Sequence, residues 1–319
     1  MFSSKLMRRA RKLTLPSGAL LLALGTSAYA VECGMAEAFK QRDGNGKGGL
    51  TSVWSGEQSS SLLFIESLNV NTDGTSRSYS VDDFWGERTA LNNLCNAMKD
   101  ACAGLSKDEL RKRRILTQQA FANGWPDAQL KASRISPSII PFKNGKPCSP
   151  KNGFLISATA LHKPAINDVC DTNNYVDSLI VPALVIPKNP SKTQLSEFAK
   201  RNAKVGDLVV AMVPGTAKPV FAVVGDTGPA GELGEGSLAL NGSLLGKKAE
   251  PTNYLEVRGK GAFKGKAWTV PKAIVIVFPG SRDTANPFMT RDRIDESAQQ
   301  RFEKWGGLER MNACAAAYR

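Results

Sequence analysis

Residues 221–240 read FAVVGDTGPAGELGEGSLAL. The apolar run 220–224 has the character of a buried strand, and Gly225 permits a sharp turn at its end. Asp226 is then expected at the strand's mouth, with Gly234-Glu235-Gly236-Ser237 re-entering the sheet beside it. Two carboxylates nine positions apart, framed by glycine-rich turns, suit acid–base chemistry in which one stays protonated while the other is ionised. The same residues also suit a plain hairpin, because Asp, Thr and Ser commonly satisfy turn backbone.

Outward from this stretch, the segments 154–161, 175–186, 208–213, 220–225, 237–245 and 273–278 read as short strands separated by Gly, Pro, Asn and Lys. Pro182 makes its segment an edge strand or a break. Short strands at regular spacing point to a barrel or sandwich. Upstream, 61–70 reads as a strand pair or one long strand, while 88–100 and 105–121 carry apolar residues at helical spacing. Ser106 and Glu109 form a capping-box pattern for the second of these. A last helix is expected over 293–318, broken near Gly306-Gly307. The fold class is therefore mainly β with flanking helices (α+β), built on a compact β-barrel. The expected divisions are an export signal at 1–30, a helical and loop lobe at 31–151, the barrel at 152–284 and a C-terminal helix at 285–319.

Lys5, Arg8, Arg9, Arg11 and Lys12, the apolar 20–24 and Ala28-Tyr29-Ala30 make the export signal, which places the protein in a periplasm or outside the cell. Six cysteines in an exported chain suggest disulfides, and Cys95–Cys102, Cys148–Cys170 and Cys33–Cys314 are the expected pairs. No cysteine has zinc-like spacing and His162 is the single histidine, so no metal, cofactor or His-dependent nucleophile is expected. Asp43-Gly44-Asn45-Gly46-Lys47 echoes part of a calcium loop but lacks its later ligands. The chain carries a net +13; residues 1–30 hold five of its basic side chains and no acid, which leaves 37 basic against 29 acidic residues, or +8. Such a balance suits an acidic partner. The basic runs lack interleaved aromatics, so nucleic acid is not expected, and no apolar run is long enough for a membrane span.

Gly225-Asp226-Thr227 followed by Gly234-Glu235-Gly236-Ser237 resembles glycoside hydrolase family 75, the fungal-type chitosanases. GFLISATAL at 153–161 and NYVDSLIVPALVIP at 174–187 resemble the same family. The likeness spans about residues 152–246 and extends to LNVNTDGTSRSYSVDD at 68–83, an element of bacterial relatives. The resemblance implies a double-psi β-barrel, an inverting mechanism, and Asp226 and Glu235 as the catalytic carboxylates. Glu235, which follows Leu233 and precedes an apolar run, is assigned as acid and Asp226 as base, with the reverse order left open. Tyr175 and Asp177 are expected on one face of an alternating strand, as a sugar-binding pair or as strand-end packing and turn residues. Asp73, with Tyr79, Asp82 and Asp83, forms an acidic–aromatic cluster that suits either a second subsite wall or a surface turn. Thr227 is a further substrate-binding candidate. The reading is a monomeric, secreted, endo-acting hydrolase of chitosan or a related amino-sugar polysaccharide. Another cell-wall or acidic polysaccharide as substrate, or a non-enzymatic wall-binding role, are the alternatives that the positive charge keeps open.

Overall fold

Among the described residues the strands Ala183–Pro187 and Leu208–Met212 are buried at every position, which is why their sequences read as unbroken apolar runs rather than alternations. A computed structural model describes residues 32–43, 49–149, 152–229 and 231–318. The expected export signal and most of the calcium-like loop lie outside the described residues. The strands that position the site are β1 (Ala36–Asp43), β2 (Leu50–Ser55), β3 (Leu62–Asn71), β4 (Ala183–Pro187), β5 (Leu208–Met212), β6 (Val220–Gly228), β7 (Glu235–Ser237) and β8 (Val270–Val277). Six of them close into a barrel in the order β3-β7-β4-β6-β5-β8, with β8 returning to β3, and β1 and β2 extend the sheet from the first half of β3. The pairs β3/β7 and β4/β6 are parallel and the rest of the ring is antiparallel.

One set of alternating residues fills the barrel: Phe64, Leu184, Val209, Ala211, Ala222, Val224, Val275 and Val277, with Leu240 closing one end. The opposite set, including Leu63, Ala183, Val210, Val223 and Ile276, packs outward against Ile294, Ala298 and Phe302 of helix Arg291–Trp305 and Met311 of helix Gly307–Ala317. Each fully buried aliphatic or Phe side chain contributes about 1.5–3 kcal/mol through burial. A separate cluster around Leu94, Trp125, Ile140 and Leu155 holds the upstream lobe, including helix Lys107–Ala122 and its Ser106–Glu109 capping box.

Several expectations need correction. The barrel is not confined to 152–284, because β3 comes from the upstream segment and pairs with both β7 and β8. Residues 88–100 hold only a single turn, Leu94–Ala97, instead of a helix. The Asp83 carboxylate collects the N–H groups of Glu87, Arg88, Thr89 and Ala90, which fixes that segment as a turn. The 237–245 segment is a helix, Leu238–Leu244, because Ser237 caps it by accepting from the Leu240 N–H at 3.1 Å. Strand structure in 154–161 is limited to Phe154–Leu155. In 175–186 it begins only after Pro182, which acts as a break rather than an edge: β4 is flanked on both sides.

The three disulfides pair as expected, Cys33–Cys314, Cys95–Cys102 and Cys148–Cys170. Cys33–Cys314 joins the first described residues to the terminal helix and is buried in the layer under helix Arg291–Trp305. Replacing both cysteines by serine is expected to lower unfolding free energy by about 2–4 kcal/mol, read from denaturant melts of oxidised protein. Equal stability of the two proteins would show that this bridge does not hold the helices to the barrel.

Candidate active site

The site is built on four strands that are consecutive in the barrel, β3, β7, β4 and β6. Glu235 of β7 lies opposite Val185 of β4 on one side and Asn69 of β3 on the other. Asp226 of β6 lies opposite the same Val185 from the far side. Registered partners point to one face, so both carboxylates leave the barrel on the outer side of β4. Their Cα atoms stand two strand spacings apart, roughly 9.5 Å.

Asp226 reaches that face only because of a bulge. Val224 pairs with Leu184 and Asp226 with Val185, so Gly225 is an extra residue with no partner of its own. Regular alternation would have carried 222, 224 and 226 into the barrel together; the inserted residue turns Asp226 outward. Position 225 tolerates no side chain, since a Cβ there would sit 2.7 Å from the Ala183 Cβ. The expectation that β6 ends at Gly225 is thus corrected, as the strand continues to Gly228. Glu235 also does not re-enter beside β6, because β4 lies between them.

Asp226 Oδ1 accepts from the Ala160 N–H at 2.9 Å and from its neighbour's N–H, that of Thr227, at 2.8 Å. Burial raises the Asp226 carboxyl, these donors and the Asn71 side chain restrain the rise, and the balance places it at about 6. Glu235 is raised by burial, then by the charge of Asp226, with Asn71 as its one hydrogen-bonding restraint, and stands at about 7. Asn71 ends β3 with its Oδ1 accepting from the Asp73 N–H at 2.9 Å, which leaves its amide N–H groups for the two carboxylates. Asp73 follows in the tight turn closed by Gly74, whose φ is +85° and whose Cβ, if present, would collide with the Val176 carbonyl. Burial and then the Asp226 charge push the Asp73 carboxyl well above its usual range, with the Tyr79 and Ser157 hydroxyls opposing the shift. Its Oδ1 is buried without a hydrogen-bond partner among the described residues. The neutral acid is the form that such a position favours.

Beside Glu235, among Val185, Gly228, Pro229 and Leu233, lies a space of about 10 Å³. That is close to the minimum for one water. Among the described residues no three His, Cys, Asp or Glu side chains are placed to hold a metal ion.

Of the residues expected at the site, Asp226, Glu235 and Asp73 come together. Asp177, Tyr175 and Thr227 do not. Asp177 is in a turn rather than a strand: its Oδ1 accepts from the Leu179 N–H at 2.9 Å and its carbonyl from Ile180 and Val181. Its carboxyl is raised by burial, and its interactions run to Thr75 and Glu250. Tyr175 is buried beside Cys148 and Ile156 and donates its hydroxyl to the Val169 carbonyl at 2.8 Å. Thr227 pairs with Ile186 on the other face of β6 and opens into a different hollow. Asp83 is spent on backbone and Asp82 is exposed. Asn71 is a member that sequence reasoning passed over, and Gly225 was read as a turn where the structure has a bulge. The Asn-Thr-Asp-Gly order at 71–74, an Asx turn at a strand end, was a usable signal for the first. The bulge left none.

A scan against protein-family models and a search of characterised proteins each return no match to this chain.

Both carboxyls lie above their ordinary values of 3.8 and 4.5, so their ionisation opposes folding. Their contribution to stability is complete below about pH 4 and is lost as pH rises through about 6 and 7. Glu235→Gln removes one of these charges. At about pH 8 the variant is expected to be more stable than the parent by about 1–3 kcal/mol, and at about pH 4 the two should coincide. Chemical denaturation at both pH values measures this; a variant less stable at the higher pH would contradict the buried-charge account.

Proposed function

We propose that the protein is an exported glycoside hydrolase of chitosanase type, with Glu235 as general acid and Asp226 as general base. The observation that carries this reading is the ordered pair on one face of β4, Asp226 near 6 and Glu235 near 7. Between those values Asp226 is the ionised member and Glu235 the protonated one. An inverting reaction requires a water between the two carboxyl groups, which calls for roughly 6.5–9.5 Å between them. Asp226 takes a proton from that water as its oxygen bonds to the anomeric carbon. Glu235 gives its proton to the departing glycosidic oxygen as the old bond breaks. Asn71 holds the two groups in relation, and neutral Asp73 backs Asp226 without adding a second charge.

The wording Gly225-Asp226-Thr227 with Gly234-Glu235-Gly236-Ser237 supports an amino-sugar polymer such as chitosan, through its resemblance to family 75. Three disulfides suit an oxidising compartment outside the cytosol, and no helix among the described residues is long and apolar enough to cross a membrane.

Reducing-end release from a panel of chitosan, partly deacetylated peptidoglycan and acidic polysaccharides tests the reading. On any polymer that is cleaved, Glu235→Gln and Asp226→Asn are each expected to lower kcat by about 10²–10⁴-fold without loss of folding. The rate should follow a bell with limbs near pH 6 and 7, and proton NMR of fresh product should show the inverted anomer. Wild-type rates in both variants would sink the assignment, and binding without cleavage across the panel would favour a wall-binding protein.

A further inference from the structure

The strand pair β4/β6 also borders a hollow on its opposite face. Ile186 and Thr227, paired across these strands, point away from Val185 and Asp226 and line an open hollow of about 670 Å³. That volume falls within the roughly 300–1,000 Å³ of ligand sites. Its floor is apolar, with Ile186, Ala203 and the half-exposed Leu195, and its lining includes Lys188, Lys204 and Arg282 but no acid.

The three cations differ. Arg282 is held at 3.1 Å by the fully buried Asp207, which neutralises it and fixes its position. The ammonium groups of Lys188 and Lys204 are exposed and make no ion pair or hydrogen bond among the described residues. Two unpaired positive charges over an apolar floor match a sugar ring carrying a carboxylate: the ring's C–H face meets the floor and the anion meets the lysines. They disfavour a protonated amino sugar by like-charge repulsion.

The hollow also adjoins the carboxylate pair. Lys188 donates its backbone N–H to the Gly228 carbonyl at 3.3 Å, so it stands on the rim between the two faces. Gly228 lines the water-sized space beside Glu235, and a Cβ on it would approach Glu235 Oε2 to 3.7 Å. Gly228 therefore links the space beside Glu235 to the Lys188 edge of the hollow. We propose that this hollow is a subsite for a carboxylate-bearing sugar, so that among amino-sugar polymers the one cleaved at Asp226 and Glu235 carries carboxylates, in preference to chitosan itself. The subsite rests on the hydrolase reading for its polymer, but not for its charge preference.

The test uses the mature Glu235→Gln protein, so that no ligand is consumed, titrated calorimetrically with oligogalacturonate, a chitosan oligosaccharide and a neutral cello-oligosaccharide. Oligogalacturonate is expected to bind, more weakly as salt rises, and to lose about tenfold or more in affinity in Lys188→Ala/Lys204→Ala while Lys188→Arg/Lys204→Arg retains it. Failure of oligogalacturonate to bind, unchanged affinity in the alanine variant, or tighter binding of the cationic or neutral sugar would each overturn the subsite. Hydrolysis by the Asp226→Asn protein separates the two ideas. Retained cleavage there removes the catalytic assignment while leaving the lysine-dependent binding intact, whereas lost cleavage with lysine-independent binding removes only the subsite.

Discussion

The site depends on β3 being shared. Its first half pairs with β2 on one edge while β8 runs along the other, and its last three residues, Asn69 to Asn71, pair with β7. This single strand closes the barrel and delivers Asn71 beside Glu235. The turn that leaves it then swings Asp73 behind Asp226. A strand contributed from far upstream thus determines where the carboxylates of residues 226 and 235 stand. Loop-closure entropy for such a distant pairing is offset by burial on both faces, where Leu62, Leu63 and Phe64 are fully enclosed.

The acidic cluster sets local chemistry against stability. Three carboxyl groups converge where water is scarce, and the backbone offers strong donors to only one of them. Asp226 receives two N–H groups and stays the lower in pKa; Glu235 shares an asparagine and stays the higher. Environment rather than residue type makes the difference, the usual way in which two carboxylates acquire separate roles. Ionising them costs folding free energy, which closure of the barrel and the Cys33–Cys314 bridge must cover.

The two faces of β4/β6 carry opposite signs. Val185, Asp226 and Gly228 belong to the acidic side, and Ile186, Thr227 and Lys188 to the basic side, separated by the thickness of a strand. Pleating alone produces that division, since neighbours in a strand point to opposite faces. A basic chain can thus hold a buried acidic centre, because the two sets of charges lie on different faces of the same strands.

By itself the sequence determined what depends on local chemistry. The apolar segments 61–70, 208–213 and 273–278 read as strands, Ser106 and Glu109 marked a helix start, and the six cysteines admitted the three observed bridges. Asp226 and Glu235 were visible as candidates because two acids nine positions apart stand among glycine-rich turns, in wording that resembles family 75. What remained hidden was the pairing between segments. The 237–245 run carries apolar residues that serve helix or strand equally, and the Ser237 cap decided between them. Asp177 and Tyr175 looked like strand neighbours until a turn and a buried core claimed them. The bulge at Gly225 is a relation between β6 and β4, and no residue of β6 alone encodes it. Register is a property of two strands at once, so only the tertiary structure could show which face each carboxylate would reach.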